Sequence, residues 1–131
     1  MESSEAQTPS RPANEHAAVY EAIGLYLEGH AGNDAASMRQ AFLPTAHIEG
    51  NRDGAFTSWN LDQYCALFDG VPAADEASRV RTIDWIEVMG DAASVRATLV
   101  HGEVKFIDYF LLLKVDGQWK IANKIYHRAT S

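Results

Sequence analysis

Cysteine is nearly absent from this chain. Cys65 is the single one in 131 residues, which excludes an intrachain disulfide and removes any need for an oxidising compartment. Basic residues are scarce too. Eleven Lys and Arg stand against eighteen Asp and Glu, a formal charge of 11 − 18 = −7, so the basic face that phosphate contacts require is missing and nucleic acid is not expected as a partner. No apolar run approaches the ~20 residues that cross a bilayer, and no membrane role is expected. The opening Met1-Glu2-Ser3-Ser4-Glu5-Ala6-Gln7 lacks the basic and then apolar segments of a secretory signal. Motifs for metals and nucleophiles are also missing. There is no His-x-His or His-Glu-x-x-His, and His16 and His30 on one helix face lie ~21 Å apart at 1.5 Å per residue. Neither a Gly-x-Ser-x-Gly nor a phosphate loop nor a Gly-x-Gly-x-x-Gly occurs. Cys65, at the edge of an apolar helix stripe, reads as packing. The absences leave an acidic, cytoplasmic domain for which no metal or cofactor is implied.

What is present is ordinary globular material, 47% hydrophobic and 22% charged. Residues 1–13 carry two prolines and no large apolar side chain after Met1, so they read as a flexible tail ahead of a single domain at 14–131. Val19, Tyr20, Ile23, Tyr26, Leu27 and His30 fall at three- and four-residue steps and predict an amphipathic helix. Asn33 or Asp34 can cap a second helix, which Pro44 stops. Thr45–Glu49 and Ala55–Trp59 read as short strands. Asn60, with Gln63 completing a capping box, starts a third helix reaching about Phe68. Four long strands follow, at Arg79–Met89, Ala92–His101, Glu103–Val115 and Gln118–Arg128. Helices first and a meander afterwards predict an α+β fold.

Asp116-Gly117 between alternating segments predicts a two-residue hairpin turn. Val115 then pairs with Gln118, and Asp108 stands opposite Ile125, Phe106 opposite His127, and Phe110 opposite Asn123. Asp108, Asn123 and His127 share one face with Phe106, Phe110, Trp119, Ile121 and Ile125. The other face carries Ile107, Tyr109, Leu111, Leu113 and Val115, with Lys124 opposite Tyr109. Both faces of the strand at 103–115 are therefore apolar. Three short helices cover only one face of a curved sheet, so a homodimer packed through the outer face is expected.

The order helix-helix-strand-strand-helix and four long strands resembles the nuclear transport factor 2-like cone, a cystatin-like fold. Tyr26-Leu27-Glu28-Gly29-His30-Ala31-Gly32-Asn33-Asp34 resembles its end of helix one, and Phe42-Leu43-Pro44-Thr45-Ala46-His47-Ile48 its exit from helix two. The hairpin from Phe106 to Tyr126 closely resembles the group labelled "putative lumazine-binding", near the SnoaL-like proteins. The resemblance covers about residues 15–128. It implies three helices packed into a strongly curved, mainly antiparallel sheet, and leaves function open because the superfamily spans enzymes, binding proteins and assembly adaptors.

Asp108 is the first candidate for chemistry. A carboxylate among apolar neighbours has a raised pKa and can donate a hydrogen bond once protonated. Ile107-Asp108-Tyr109-Phe110 is similar to the ketosteroid isomerase segment whose neutral aspartic acid, with a tyrosine, holds an oxyanion. Tyr26 falls within one residue of that tyrosine. The isomerase's general base corresponds to about Gly50 here, which argues against steroid isomerisation by the same mechanism. His127, diagonal to Asp108 on this register, could be oriented by it as a general base. His47, Trp59, Tyr64 and Asn123 are candidates to line a small-molecule pocket, each with core packing as the plainer role. Lys124 faces away from Asp108 on this register, but a bulge in either strand would bring it to the pocket. Asp84 shares the face of Asp108 only if Gly90-Asp91 is a two-residue turn; a slip of one residue would turn Ile83 and Trp85 inward instead. Two readings follow. In one, the domain binds a small organic molecule, or converts it by isomerase-, cyclase- or hydrolase-type acid-base chemistry. In the other, the cone is filled by Tyr26, Trp119 and Phe110 and the sheet mediates assembly without catalysis.

Overall fold

The computed structural model describes residues 11–130. Helix α1 (Arg11–Gly32) and helix α2 (Ala35–Ala41) lead into strands β1 (Phe42–Arg52) and β2 (Ala55–Asn60). Helix α3 (Leu61–Cys65), a 3-10 turn (Glu76–Ser78) and four strands follow: β3 (Val80–Met89), β4 (Ala92–His101), β5 (Val104–Val115) and β6 (Gln118–Thr130). The strands form one sheet in the order β2-β1-β6-β5-β4-β3, antiparallel except for the β1–β6 pair. This is the α+β class expected, with the helices on one face of a curved sheet. The first helix opens at Arg11, so residues 11–13 of the expected tail are helical, while residues 1–10 lie outside the described residues. Among the described residues, no helix is long and apolar enough to cross a membrane.

Local chemistry accounts for the element ends. Asp34 Oδ1 accepts from the backbone N–H groups of Ala36 and Ser37, capping α2, a contact worth about 1 kcal/mol. Asn60 and Gln63 form the reciprocal capping box of α3. That helix is shorter than expected: after Cys65 the chain turns, with Phe68 N–H reaching back to the Cys65 carbonyl. Asp116 and Gly117 both take positive φ, 51° and 80°, the geometry of a type I′ hairpin turn.

The core lies between the helices and the inner sheet face. Val19, Ile23 and Tyr26 of α1 pack with Met38, Phe42, Ile48, Val95, Leu99, Phe110, Leu112 and Ile121, all fully or almost fully buried. Each large apolar side chain so buried contributes about 1.5–3 kcal/mol. Tyr20 turns out to solvent, leaving Val19, Ile23, Tyr26 and His30 as the inward stripe. The opposite sheet face carries Tyr109, Leu111, Leu113, Val115 and Ile125, all exposed in the single chain.

A polar clamp ties the end of α1 to β3. His30 Nδ1 accepts from Arg81 Nε at 3.3 Å and lies 3.1 Å from Arg81 Nη2. Arg81 also forms a two-pronged pair with Glu76 at 2.6 and 2.8 Å. Burial, with the charges of Lys124, Arg81 and Arg79, lowers the His30 pKa from 6.5 to about 3. A depressed folded pKa contributes stability above the unfolded value, and that stability is lost as pH falls through the folded one. Unfolding measured by denaturant titration should therefore show stability falling from about pH 6.5 towards pH 3, by an amount on the order of a few kcal/mol. His30→Gln, which keeps an acceptor for Arg81 but cannot titrate, should flatten that slope. An equally steep slope in the variant would remove His30 as its cause.

Candidate functional site

A cavity of about 170 Å³ opens between α1, α3 and the inner sheet face. Its walls are largely aromatic, from Trp59, Tyr64, Phe68, Phe106 and Tyr126, with Tyr26, Asp108 and Lys124 at its base and Arg52 at its rim. A volume near 150 Å³ accommodates one benzene-sized ring.

At the base, Lys124 Nζ donates to the Tyr26 hydroxyl at 2.8 Å and to the Tyr64 hydroxyl at 3.3 Å. The same nitrogen stands 3.5 Å from Asp108 Oδ2, and the Tyr26 hydroxyl donates to that oxygen at 3.1 Å. The ammonium also lies 5.0, 5.2 and 5.6 Å from the ring centres of Tyr26, Tyr64 and Tyr126, within cation–π range. Asp108 is 1% exposed and Lys124 6%. Burial raises the Asp108 pKa, against the opposing pull of Lys124 and the Tyr26 hydrogen bond. Burial alone would lower Lys124, but Asp108 and Tyr64 outweigh it and hold the ammonium above its ordinary value. The Tyr26 phenol is raised well above 10 by burial and by the neighbouring Asp108 charge. At neutral pH, Lys124 and Tyr26 are therefore firmly protonated. Two groups at this base are left to answer a ligand. The Tyr64 hydroxyl accepts from Lys124 and can still donate its own proton, and Asp108 Oδ1 is buried without a hydrogen-bond partner among the described residues.

A break in strand pairing puts Lys124 there. From the turn, β5 and β6 pair as the hairpin rule predicts, through Leu112 opposite Ile121. The next pair is Leu111 with Asn123, so Ala122 is an extra residue, a bulge. Beyond it every partner moves by one: Phe110 faces Lys124, Asp108 faces Tyr126, and Ile107 faces His127. The single-register expectation is corrected accordingly. Trp119 and Ile121 point inward before the bulge, Lys124 and Tyr126 after it.

Of the residues singled out from sequence, the structure brings Tyr26, Trp59, Tyr64, Asp108 and Lys124 to this cavity. It does not bring His127, Asn123, His47 or Asp84. His127 and Ile125 lie on the outer side and are exposed, because the bulge reverses their facing. Asn123 stands beside Leu111 and His47, away from the cavity, for the same reason. His47 is exposed on β1, where the inward positions are Ala46 and Ile48. Asp84 sits at a break in the β3–β4 pairing and is bound outside the cavity to Arg96 at 3.2 Å and to Thr98 at 2.6 Å. Gly50 lies against the Tyr126 ring, where a Cβ would come within 2.6–2.8 Å of three ring carbons. The Tyr126 hydroxyl is 2.9 Å from Thr57 Oγ1. The position corresponding to the isomerase's base is thus occupied by the aromatic wall. Sequence reasoning placed Phe106 on the face of Asp108 but missed Tyr126 and Arg52 as lining residues. A bulge-shifted register would have found Tyr126, since it then stands opposite Asp108.

Comparison with known proteins places this geometry. The family described as "Putative lumazine-binding" matches residues 14–127. A crystal structure of an NTF2-like protein of unknown function from Shewanella baltica is 31% identical, covers 96% of this chain and 100% of its own, and superposes with a TM-score of 0.81. A ketosteroid isomerase-like protein from Erwinia carotovora, 18% identical over 89% of this chain and 98% of its own with a TM-score of 0.66, shares the fold. Aldolase FrzH of Cladobotryum sp is 25% identical over 118 residues, which is 88% of this chain and 92% of that protein. With the cone fold, the matched span and these relatives together, the chain belongs to the putative lumazine-binding family of the nuclear transport factor 2-like superfamily.

Proposed function

We propose that the domain binds a small cyclic carbonyl compound in the aromatic cavity and catalyses its enolisation, the step shared by keto–enol isomerisation and aldol chemistry. One observation carries this reading: Lys124, Tyr26, Tyr64 and Asp108 converge at the base of an open, one-ring-sized cavity. Similarity to an aldolase supports it, because an aldol carbon–carbon bond is made from an enol or enolate. In the proposed step, Asp108 takes a proton from the carbon next to the carbonyl. The C–H electron pair becomes the C=C bond, and the carbonyl π pair moves onto oxygen. The Tyr64 hydroxyl donates to that oxygen, and the Lys124 ammonium behind it stabilises the charge in a water-poor site. Tyr26 positions Asp108 and Lys124 on each other. A raised proton affinity suits Asp108 to a task near neutral pH.

The rival reading requires a filled cone. Trp119 and Phe110 are buried in the core away from the cavity, and Tyr26 forms its base without closing it. Their placement favours the ligand-binding reading. We also propose that the exposed apolar row from Tyr109 to Val115 is covered by a second copy of the chain, since patches of this kind seldom stay in water.

Exchange of the α-protons of cyclohexanone in deuterated buffer, followed by NMR, tests the chemistry. The protein should accelerate it. Lys124→Met and Asp108→Asn should each lose at least about tenfold, or about 1.4 kcal/mol of barrier. The rate should fall on the acid side with a midpoint above the 3.8 of an ordinary aspartate. Exchange no faster than in Lys124→Met would sink the proposal. For the dimer, sedimentation should give twice the chain mass and Leu111→Glu should halve it; a wild-type monomer at every concentration would refute the shared face.

A further inference from the structure

A second cavity, about 310 Å³, lies behind the first and shares His30, Phe68 and Phe106 as its dividing wall. Asn33, Ala73, Arg79 and His101 complete it. We propose that this cavity is an oxyanion-binding site, taking a carboxylate or phosphate group between Arg79 and His101.

Buried nitrogens without hydrogen-bond partners point to it. Only a few buried side-chain nitrogen or oxygen atoms among the described residues lack a hydrogen-bond partner, and two of them, Arg79 Nε and His101 Nε2, belong to residues of this one cavity. Arg79 Nε is 3.0 Å from Asp75 Oδ1, yet the contact is too poorly aligned to count as a hydrogen bond. A buried donor left unsatisfied costs about 1–3 kcal/mol, which a ligand oxygen would recover. The other polar groups of the walls are largely engaged. His30 Nδ1 is already taken by Arg81, and the Asn33 amide N–H groups go to Asp69 Oδ1 at 2.6 Å and the Val71 carbonyl at 2.9 Å.

Charge agrees with the donors. Arg79 is the one formally charged residue lining the cavity. Arg81 on β3 and Lys124 on β6 stand behind it, each paired with a carboxylate, Glu76 and Asp108. The acids nearby, Asp75 and Glu76, are held in ion pairs with Arg79 and Arg81 and stand outside the lining. The imidazoles of His30 and His101, 5.3 Å apart, both have lowered pKa values, first through burial and then through these cations. An oxyanion entering here would meet the Arg79 guanidinium, whose Asp75 partner stands outside the lining, and would favour the protonated form of His101.

The site is independent of the chemistry at Lys124, and its test does not use that chemistry. The His101 ring protons, assigned by their loss in His101→Asn, are titrated by NMR with sodium sulfate and with sodium acetate, ionic strength being held constant with chloride. Both anions should raise the His101 midpoint by about half a pH unit, which corresponds by linkage to about threefold tighter binding to the protonated form. The rise should vanish in Arg79→Gln, be partly kept in Arg79→Lys, and survive in Lys124→Met. An unmoved midpoint in the wild type overturns the proposal, as does an equal rise in Arg79→Gln. Retention of the rise in a Lys124→Met protein that has lost exchange activity would separate this site from the enolisation reading.

Discussion

The Lys124–Asp108 pair is the constraint around which the interior is arranged. Moving a single ammonium or carboxylate into this environment would cost several kcal/mol, and attraction alone rarely offsets that cost. The two tyrosine hydroxyls change the balance by accepting hydrogen bonds from two of the ammonium's N–H groups, and the three rings around it supply cation–π attraction. Because the four side chains come from α1, α3, β5 and β6, satisfying one charge fixes where four elements sit. The helix must present Tyr26 at one height above the sheet, and the hairpin must present Asp108 and Lys124 side by side. Remove either charge and the other is left without its counterion in an apolar site.

Much of this was legible in the sequence, and the missing part has a definite physical origin. Helix periodicity, caps and the Asp116-Gly117 turn depend on neighbours a few residues apart, so α1, α2 and the last hairpin could be placed from sequence. The same local rule gave the pairing correctly from Val115–Gln118 to Leu112–Ile121. It could not register the bulge at Ala122, because nothing in Ile-Ala-Asn-Lys-Ile-Tyr-His distinguishes an extra residue from a regular one. Plain alternation instead favours Ile125 as the inward residue and Lys124 as the outward one. Burial of a lysine against that preference is compensated only by Asp108, Tyr26 and Tyr64, distant in sequence. Hence Tyr26, Asp108 and Tyr64 could be nominated from sequence, while His127 and Asn123 were drawn in by an unbroken register. His47 was drawn in by its position on the first strand, without knowledge of its facing.

The two cavities lie on either side of one wall, and the wall is unusual in composition. Phe68 and Phe106 contribute apolar bulk, whereas His30 contributes a ring that touches Tyr26 on one side and His101 on the other, with centroids 5.9 and 5.3 Å away. Burial keeps that imidazole neutral. It insulates the positive base of the first cavity from the cations of the second while remaining polar enough to be fixed by Arg81. A protonated histidine here would add a third cation between Lys124 and Arg81.

The bulge at Ala122 has a consequence for how such domains diversify. Side chains on a strand alternate, so a shift of pairing register by one residue acts as a parity switch for everything downstream. Absorbing Ala122 into the ladder opposite Leu111 would restore the unbroken register, carry Lys124 to the outer surface and swing Ile125 and His127 inward, without altering strand order or the turn. The same scaffold would then hold a histidine beside Asp108 in place of a lysine. A change of pairing at one strand position, invisible to any residue-by-residue comparison of side chains, is therefore a route by which a cone of this shape exchanges one polar centre for another.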